Sequence, residues 1–291
     1  MSTAPKKSEQ TNTYFIDPEN AAEMARLLKQ DRFITREMGG VFPERSRLAG
    51  MQQILDLACG PGGWVLDLAE AHPQIQVVGI DISELMIAFA RSRASSQGVP
   101  NARFQVMNAL HLLDFPDHSF DLVNARLLVG FMPTRAWPSL LHECLRITRA
   151  GGSIRLTEGD TWGITTSPAI EQLRRLFSRA LQVAGYSFSP DGQTAGITPV
   201  LRRLLHNAGY RTIQKTAHAI EYSYGTEAYE DFYLNFQVAF QLMQPFLITC
   251  GVTTQEEISL IYDQAMREMR EEDFGGVWSF LTVTGEKEGS L

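Results

Sequence analysis

From position 53 onward, short apolar runs alternate with stretches whose apolar residues recur every three or four positions. ILDLA (54–58), VVGIDI (77–82), FQVM (104–107), FDLVNA (120–125) and SIRLTE (153–158) read as strands. The segments between them read as helices, among them 85–96 and the one closed by Arg149-Ala-Gly-Gly. Apolar strands joined through helices across short connections make βαβ units, hence a parallel sheet with helices on both faces. Upstream, Asp17-Pro18-Glu19 predicts a helix start, with Asp as cap and Pro at the first helical position. Ala21, Ala22, Met24, Ala25, Leu27 and Leu28 then supply an apolar helix face that Gly39-Gly40 and Pro43 end. Downstream, 168–184 and 198–208 predict helices, and 211–222 and 277–285 strands. Between those strands, Tyr229, Phe232, Phe236, Phe240 and Met243 lie at helical spacing, and a further helix is expected over 254–272.

These patterns divide the chain into a disordered tail (1–12), a helical cap segment (13–48), a core (49–160), and a remainder (161–291) that completes the sheet. That last part carries a helical insertion at about 223–276. Composition narrows the class: 291 residues with 44% hydrophobic and 20% charged side chains suit a globular fold with a substantial core. A net charge of −7 argues against duplex nucleic acid as the partner. Three scattered cysteines, Cys59, Cys144 and Cys250, make neither a disulfide scaffold nor a zinc site, and no metal constellation is evident. No apolar run is long enough to span a bilayer, and the first residues have no apolar core of a signal peptide, so a cytoplasmic protein without a membrane partner is expected.

The chemistry concentrates in Asp56-Leu-Ala-Cys-Gly-Pro-Gly-Gly63, which follows a strand and opens a helix. Glycines there let a ligand approach the backbone, and the helix start offers free N–H donors. Asp81 ends the next strand, 19 residues after Gly62, where a carboxylate can bind both hydroxyls of a ribose. Alone, this suits any nucleoside cofactor. Counted from Gly60, the third glycine of a dinucleotide fingerprint is Val65, which argues against a nicotinamide oxidoreductase, and there is no GxxxxGK[ST] phosphate loop.

Taken in order, ILDLACGPGGW, GIDIS, Asn108-Ala109, FPDHSFDLVNA and LRITRAGGSIRL resemble the class I S-adenosylmethionine-dependent methyltransferases over roughly residues 50–160. The resemblance implies an α/β fold: a doubly wound, seven-stranded Rossmann-like sheet in the order 3-2-1-4-5-7-6, with helical cap insertions. It implies S-adenosyl-L-methionine as cofactor and a small molecule as substrate, on a monomer or homodimer. Asp56, Ala58, Gly60 and Gly62 would then hold the methionine moiety, Asp81 the ribose, and Ile82 and Met86 the adenine. Asn108, beside Ala109, stands where many relatives have an Asp, and Asn124 and Arg126 would face the methionine end or the acceptor.

Methyl transfer from a sulfonium is a displacement in which the protein aligns the nucleophile and, where needed, removes its proton. Glu158 and Asp160, ending the fifth strand, and His111, just past the third, are the candidate bases because ligands of open α/β sheets sit at strand carboxyl ends. An insertion after Tyr222 would lie over the site, so Tyr14, Phe33, Trp162, Tyr186, Tyr229 and Tyr233 are the candidate lining of an apolar acceptor pocket. The reading is transfer to a small apolar or aromatic acceptor, oxygen being the first choice of atom. The nucleobase-directed motifs (Pro-Cys, Asn/Asp-Pro-Pro-aromatic) are absent, and three cysteines are too few for arsenite. A binding or regulatory protein that keeps the cofactor site, or a catalyst of cyclisation or rearrangement, is the alternative that these motifs leave open.

Overall fold

The computed structural model describes residues 13–43 and 48–289, so the expected tail 1–12 lies outside the described residues. The elements follow in order as α1 (Ala21–Glu37), β1 (Gln53–Leu57), α2 (Gly63–Ala71), β2 (Gln76–Asp81), α3 (Glu84–Gln97), β3 (Ala102–Val106) and β4 (Phe120–Arg126). Then come α4 (Trp137–Ile147), β5 (Thr148–Glu158), β6 (Ile164–Thr165), α5 (Pro168–Val183), α6 (Leu201–Ala208) and β7 (Arg211–Glu221). The chain closes with α7 (Tyr229–Leu242), α8 (Gln244–Thr249), α9 (Gln255–Glu268) and β8 (Gly276–Glu286). Every expected strand is present, within a few residues of its expected ends.

The sheet runs β3-β2-β1-β4-β5-β8, with β7 also on β8. β1 to β5 are parallel, while β8 is antiparallel to both β5 and β7. β7 therefore runs parallel to β5, and the seven-strand order is the expected one with the last two strands named in chain order. The extra piece is β6. Residue Val277 of β8 pairs with Ile164 and with Glu221, so β6 lies on the side of β8 that carries β5. β5 and β6 are thus one strand line broken at residues 159–163, and the break turns Gly159 to Trp162 out of the sheet.

Burial follows covering. β1 and β2 read buried along nearly their whole length because helices cover both faces, whereas β7, at the free edge, is exposed at most positions. The glycine loop after β1 is held by packing as much as by turn geometry. Gly62 caps α2 at φ +78°, and a Cβ there would sit 2.6–2.9 Å from Phe104 and Ala90.

The start of α1 differs from expectation. Asn20, not Asp17, caps the helix, its side chain accepting from the N–H groups of Ala22 and Glu23. Asp17 instead closes a turn on Glu19 N–H, which carries Pro18 over the sheet edge, where the Ser83 hydroxyl donates to its carbonyl. No helix among the described residues is long and apolar enough to cross a membrane.

Candidate active site

Two adjoining cavities open where β1, β2, β4 and β5 end. The first, a cleft of about 1300 Å³ open to solvent, is floored by the glycine loop and roofed by α1 through Leu27, Gln30, Asp31 and Ile34. Asp81 sits in it with both carboxylate oxygens aimed by backbone donors, Gly60 N–H at 2.9 Å and Ser83 N–H at 2.9 Å. Each oxygen keeps a lone pair for a ligand hydroxyl. Burial raises its pKa, against the pull of those N–H groups.

Asp56 lies deeper, and its partner is a relay. Arg155 Nη1 donates to Asn124 Oδ1 at 3.1 Å, and Asn124 Nδ2 donates to Asp56 Oδ1 at 2.7 Å. Because a guanidinium only donates, the Asn124 amide has one orientation. Burial pushes the Asp56 carboxyl up to about 7, while Arg126 and the Asn124 amide pull it down. Asn124 itself is fully buried behind Asp56 and positions it rather than facing the cleft. Arg126 does line the cleft, paired with Asp31 of α1 and donating to the Thr35 hydroxyl at 3.2 Å.

The second cavity, about 760 Å³ with its open mouth, shares Tyr14, Gln30 and Leu127 with the first. Trp162, Phe177, Phe236, Phe240 and Trp278 form its aromatic walls. Trp162 is the hub, with ring centroids 5.2 Å from Phe177, 5.1 Å from Phe240 and 6.2 Å from Phe236. The break between β5 and β6 delivers Gly159, Asp160, Thr161 and Trp162 to it.

Over residues 54–152 the chain matches a family model described as a methyltransferase domain. A demethylmenaquinone methyltransferase of Geobacillus kaustophilus is 32% identical over 127 residues, 43% of this chain and 50% of the relative. Among solved structures, the YcgJ protein of Bacillus subtilis superposes with a TM-score of 0.53 at 17% identity, over 86% of this chain and 99% of that one. A phosphoethanolamine N-methyltransferase of Haemonchus contortus, bound to S-adenosylhomocysteine, reaches 0.54 at 17% identity, over 92% and 57%. The two structural likenesses speak for the fold.

Residues 54–152 thus carry a methyltransferase domain, and S-adenosylmethionine is its cofactor. The chain spans about half the length of the curated relative.

The residues around the cleft fit that cofactor. Asp31 Oδ2 and Asn108 Nδ2 are buried at the cleft without a hydrogen-bond partner among the described residues, an acceptor for an ammonium and a donor for a purine ring nitrogen. Asn108 is set in that role because its Oδ1 accepts from Leu110 N–H at 2.9 Å. A Cβ on Gly63 would lie 1.9 Å from Asp31 Oδ2, so the cradle excludes a side chain there.

Of the expected cofactor residues, Asp56, Ala58, Gly60, Asp81, Ile82, Met86, Asn108, Ala109 and Arg126 line the cleft. Gly62 does not: its face is filled by Phe104 and Ala90. Asp31, Gln30 and Leu27 of α1 line it and are not among the expected site residues.

The expected bases fare differently. His111 is exposed and lines neither cavity, because the turn after β3 directs it to solvent. Asp160 lines the aromatic cavity, but its oxygens accept from Ile197 N–H at 2.8 Å and from the Thr198 hydroxyl. Glu158 is fully buried, lines neither cavity, and accepts from Leu128 N–H at 2.7 Å and Val129 N–H at 3.3 Å. Those contacts clamp the turn after Leu127, a non-glycine residue held at φ +59° that borders both cavities. Glu158 is a positioning residue.

Of the six expected pocket aromatics, Tyr14 and Trp162 line cavities. Phe33 is in the core with its ring 4.6 Å from Phe232. The Tyr186 hydroxyl donates to Thr13 O and the Tyr229 hydroxyl to Met269 O, while Tyr233 packs under Arg270; none of the three reaches either cavity.

Burial pushes the Glu158 carboxyl up to about 8, although the two N–H donors oppose it. Its unfolded pKa is about 4.5, so between about pH 4.5 and 8 the folded state keeps a proton that the unfolded chain has lost. Stability therefore falls as pH rises through that window and levels off above it. We expect Glu158→Gln to make the decline between pH 5 and 8 shallower by on the order of 1 kcal/mol per pH unit. Melts at four pH values give the two slopes; equal slopes would mean that Glu158 ionises normally in the fold.

Proposed function

We propose that the chain transfers a methyl group from S-adenosylmethionine to a small, largely apolar or aromatic molecule, at an oxygen atom. The observation that carries this is the shared wall: a cleft shaped for the cofactor meets an aromatic cavity at Tyr14, Gln30 and Leu127. When bound, the cofactor supplies an electrophilic methyl group on a positively charged sulfur. Residues 49–160 hold it, with Asp81 on the ribose, Arg126 on the carboxylate of the methionine end and Asn108 on the purine, while Asp31 of α1 meets the ammonium. The segments 13–48 and 223–276 contribute the cap, through α1 and α7 respectively, and Trp162 and Phe240 wall the acceptor on one side.

In this reading the protein orients and desolvates rather than abstracting a proton. Asp160 is tied to its loop and Glu158 to the Leu128 turn, so neither offers a free carboxylate to the acceptor. The acceptor is then a group acidic enough to ionise by itself, such as a phenol or an enol.

Calorimetric titration with S-adenosylmethionine, S-adenosylhomocysteine and NAD is the first test. Binding of both adenosyl ligands in the micromolar range and none of NAD is expected, followed by S-adenosylhomocysteine formation with a phenol or enol panel. Absence of adenosyl-ligand binding would overturn the reading. Binding without turnover on any acceptor would move the chain to the non-transferring alternative.

A further inference from the structure

The amide and indole groups that line the aromatic cavity all present donors. Arg26 is 7% exposed and grips the fully buried Glu23 through Nε and Nη2, both at 2.7 Å. Its Nη1 donates to two amide oxygens, Gln30 Oε1 at 2.6 Å and Asn235 Oδ1 at 2.8 Å. A guanidinium has no acceptor, so neither amide can be reversed, and each must direct its NH2 away from Arg26. Gln30 and Asn235 both line the cavity, and among the described residues neither NH2 has a hydrogen-bond partner.

The walls add to this. The indole N–H groups of Trp162 and Trp278 are buried there without partners among the described residues. Asp160, the carboxylate in the cavity, is engaged by Ile197 and Thr198. Glu23 cancels the charge of Arg26, so the polar corner is a set of fixed neutral donors rather than a cationic patch suited to a free carboxylate.

We propose that the acceptor presents a hydrogen-bond-accepting oxygen, a carbonyl or a ring-conjugated oxyanion, to Gln30 Nε2 and Asn235 Nδ2. The cavity thereby selects oxo-aromatic molecules over hydrocarbons and N–H heterocycles of the same shape. A hydrocarbon filling the cavity leaves these donors without water or partner, and an N–H group there meets them head-on. Donors on a conjugated carbonyl also make a neighbouring enol or phenol more acidic, which suits a site with no free base. The inference rests on the function proposed above and names its acceptor class.

The test uses three bicyclic probes of similar size in the full chain loaded with S-adenosylhomocysteine: 1-indanone (acceptor), indane (neither) and indole (donor). Calorimetry is expected to show 1-indanone binding at least tenfold tighter than the other two. Asn235→Asp keeps the contact with Arg26 but turns an acceptor toward the cavity, so the preference for 1-indanone should disappear while indane affinity holds. Gln30→Glu makes the same change from α1 and stands in if the first variant does not fold. Equal affinity for 1-indanone and indane in the unmodified protein would overturn the inference and leave the aromatic acceptor site standing. Failure of all three probes to bind would overturn both.

Discussion

Replacing Asp81 with Ala is expected to weaken S-adenosylhomocysteine binding at least 100-fold, about 2.8 kcal/mol. The carboxylate has two tasks that fail together. It accepts from the N–H groups of Gly60 and Ser83, which shapes the glycine loop and the start of α3 around it. Its remaining lone pairs face the cleft, where charge-assisted bonds to ligand hydroxyls contribute roughly 1.5–3 kcal/mol each. Asp81→Asn should fall between, since an amide can accept from one backbone donor and clashes with the other. Titration calorimetry on the three proteins measures this; an Ala variant within threefold of the parent would remove Asp81 from the cofactor site.

Arg26→Met is expected to cost about 3–5 kcal/mol of stability, because it leaves the carboxylate of Glu23 buried without its counter-charge, held among the described residues by the Tyr14 hydroxyl alone. For a chain of this size that corresponds to a fall in Tm of roughly 5–8 °C. The paired change Glu23→Gln with Arg26→Met should recover much of the loss, since it removes the stranded charge together with its partner. Thermal melts without ligand compare the single and double variants. A double variant no more stable than the single one would mean that the loss comes from the contacts of Arg26 with Gln30 and Asn235 rather than from the stranded charge.

The core strands were legible because each is a local statement. An apolar run covered on both faces needs no knowledge of its neighbours, and the loop from Asp56 to Gly63 with Asp81 carries its chemistry in adjacent residues. The short β6 was not legible: Ile164 and Thr165 have a strand's identity only through β8, more than a hundred residues later. Tyr186, Tyr229 and Tyr233 show why placing a segment over the site does not place its side chains in the pocket. The partner that each aromatic meets decides between core and cavity, and here the partners are Thr13, Met269 and Arg270.

The polar corner escaped for the same reason, since Arg26 and Asn235 lie 209 positions apart. A signal was nevertheless present. Glu23, Arg26, Gln30 and Phe33 follow at i, i+3, i+7 and i+10 along α1, so three polar residues share a helix face with a buried phenylalanine.

One helix, α1, faces the nucleoside cleft with Leu27 and Asp31, the aromatic cavity with Arg26, and both with Gln30. Occupancy of one cavity that fixes this helix spares the second ligand that ordering cost, and thermodynamic linkage makes the benefit mutual. The factor by which the spent nucleoside tightens an oxo-aromatic guest is then the factor by which the guest tightens the nucleoside. In the reaction proposed above, combined inhibition by the two products would be written into a single stretch of backbone.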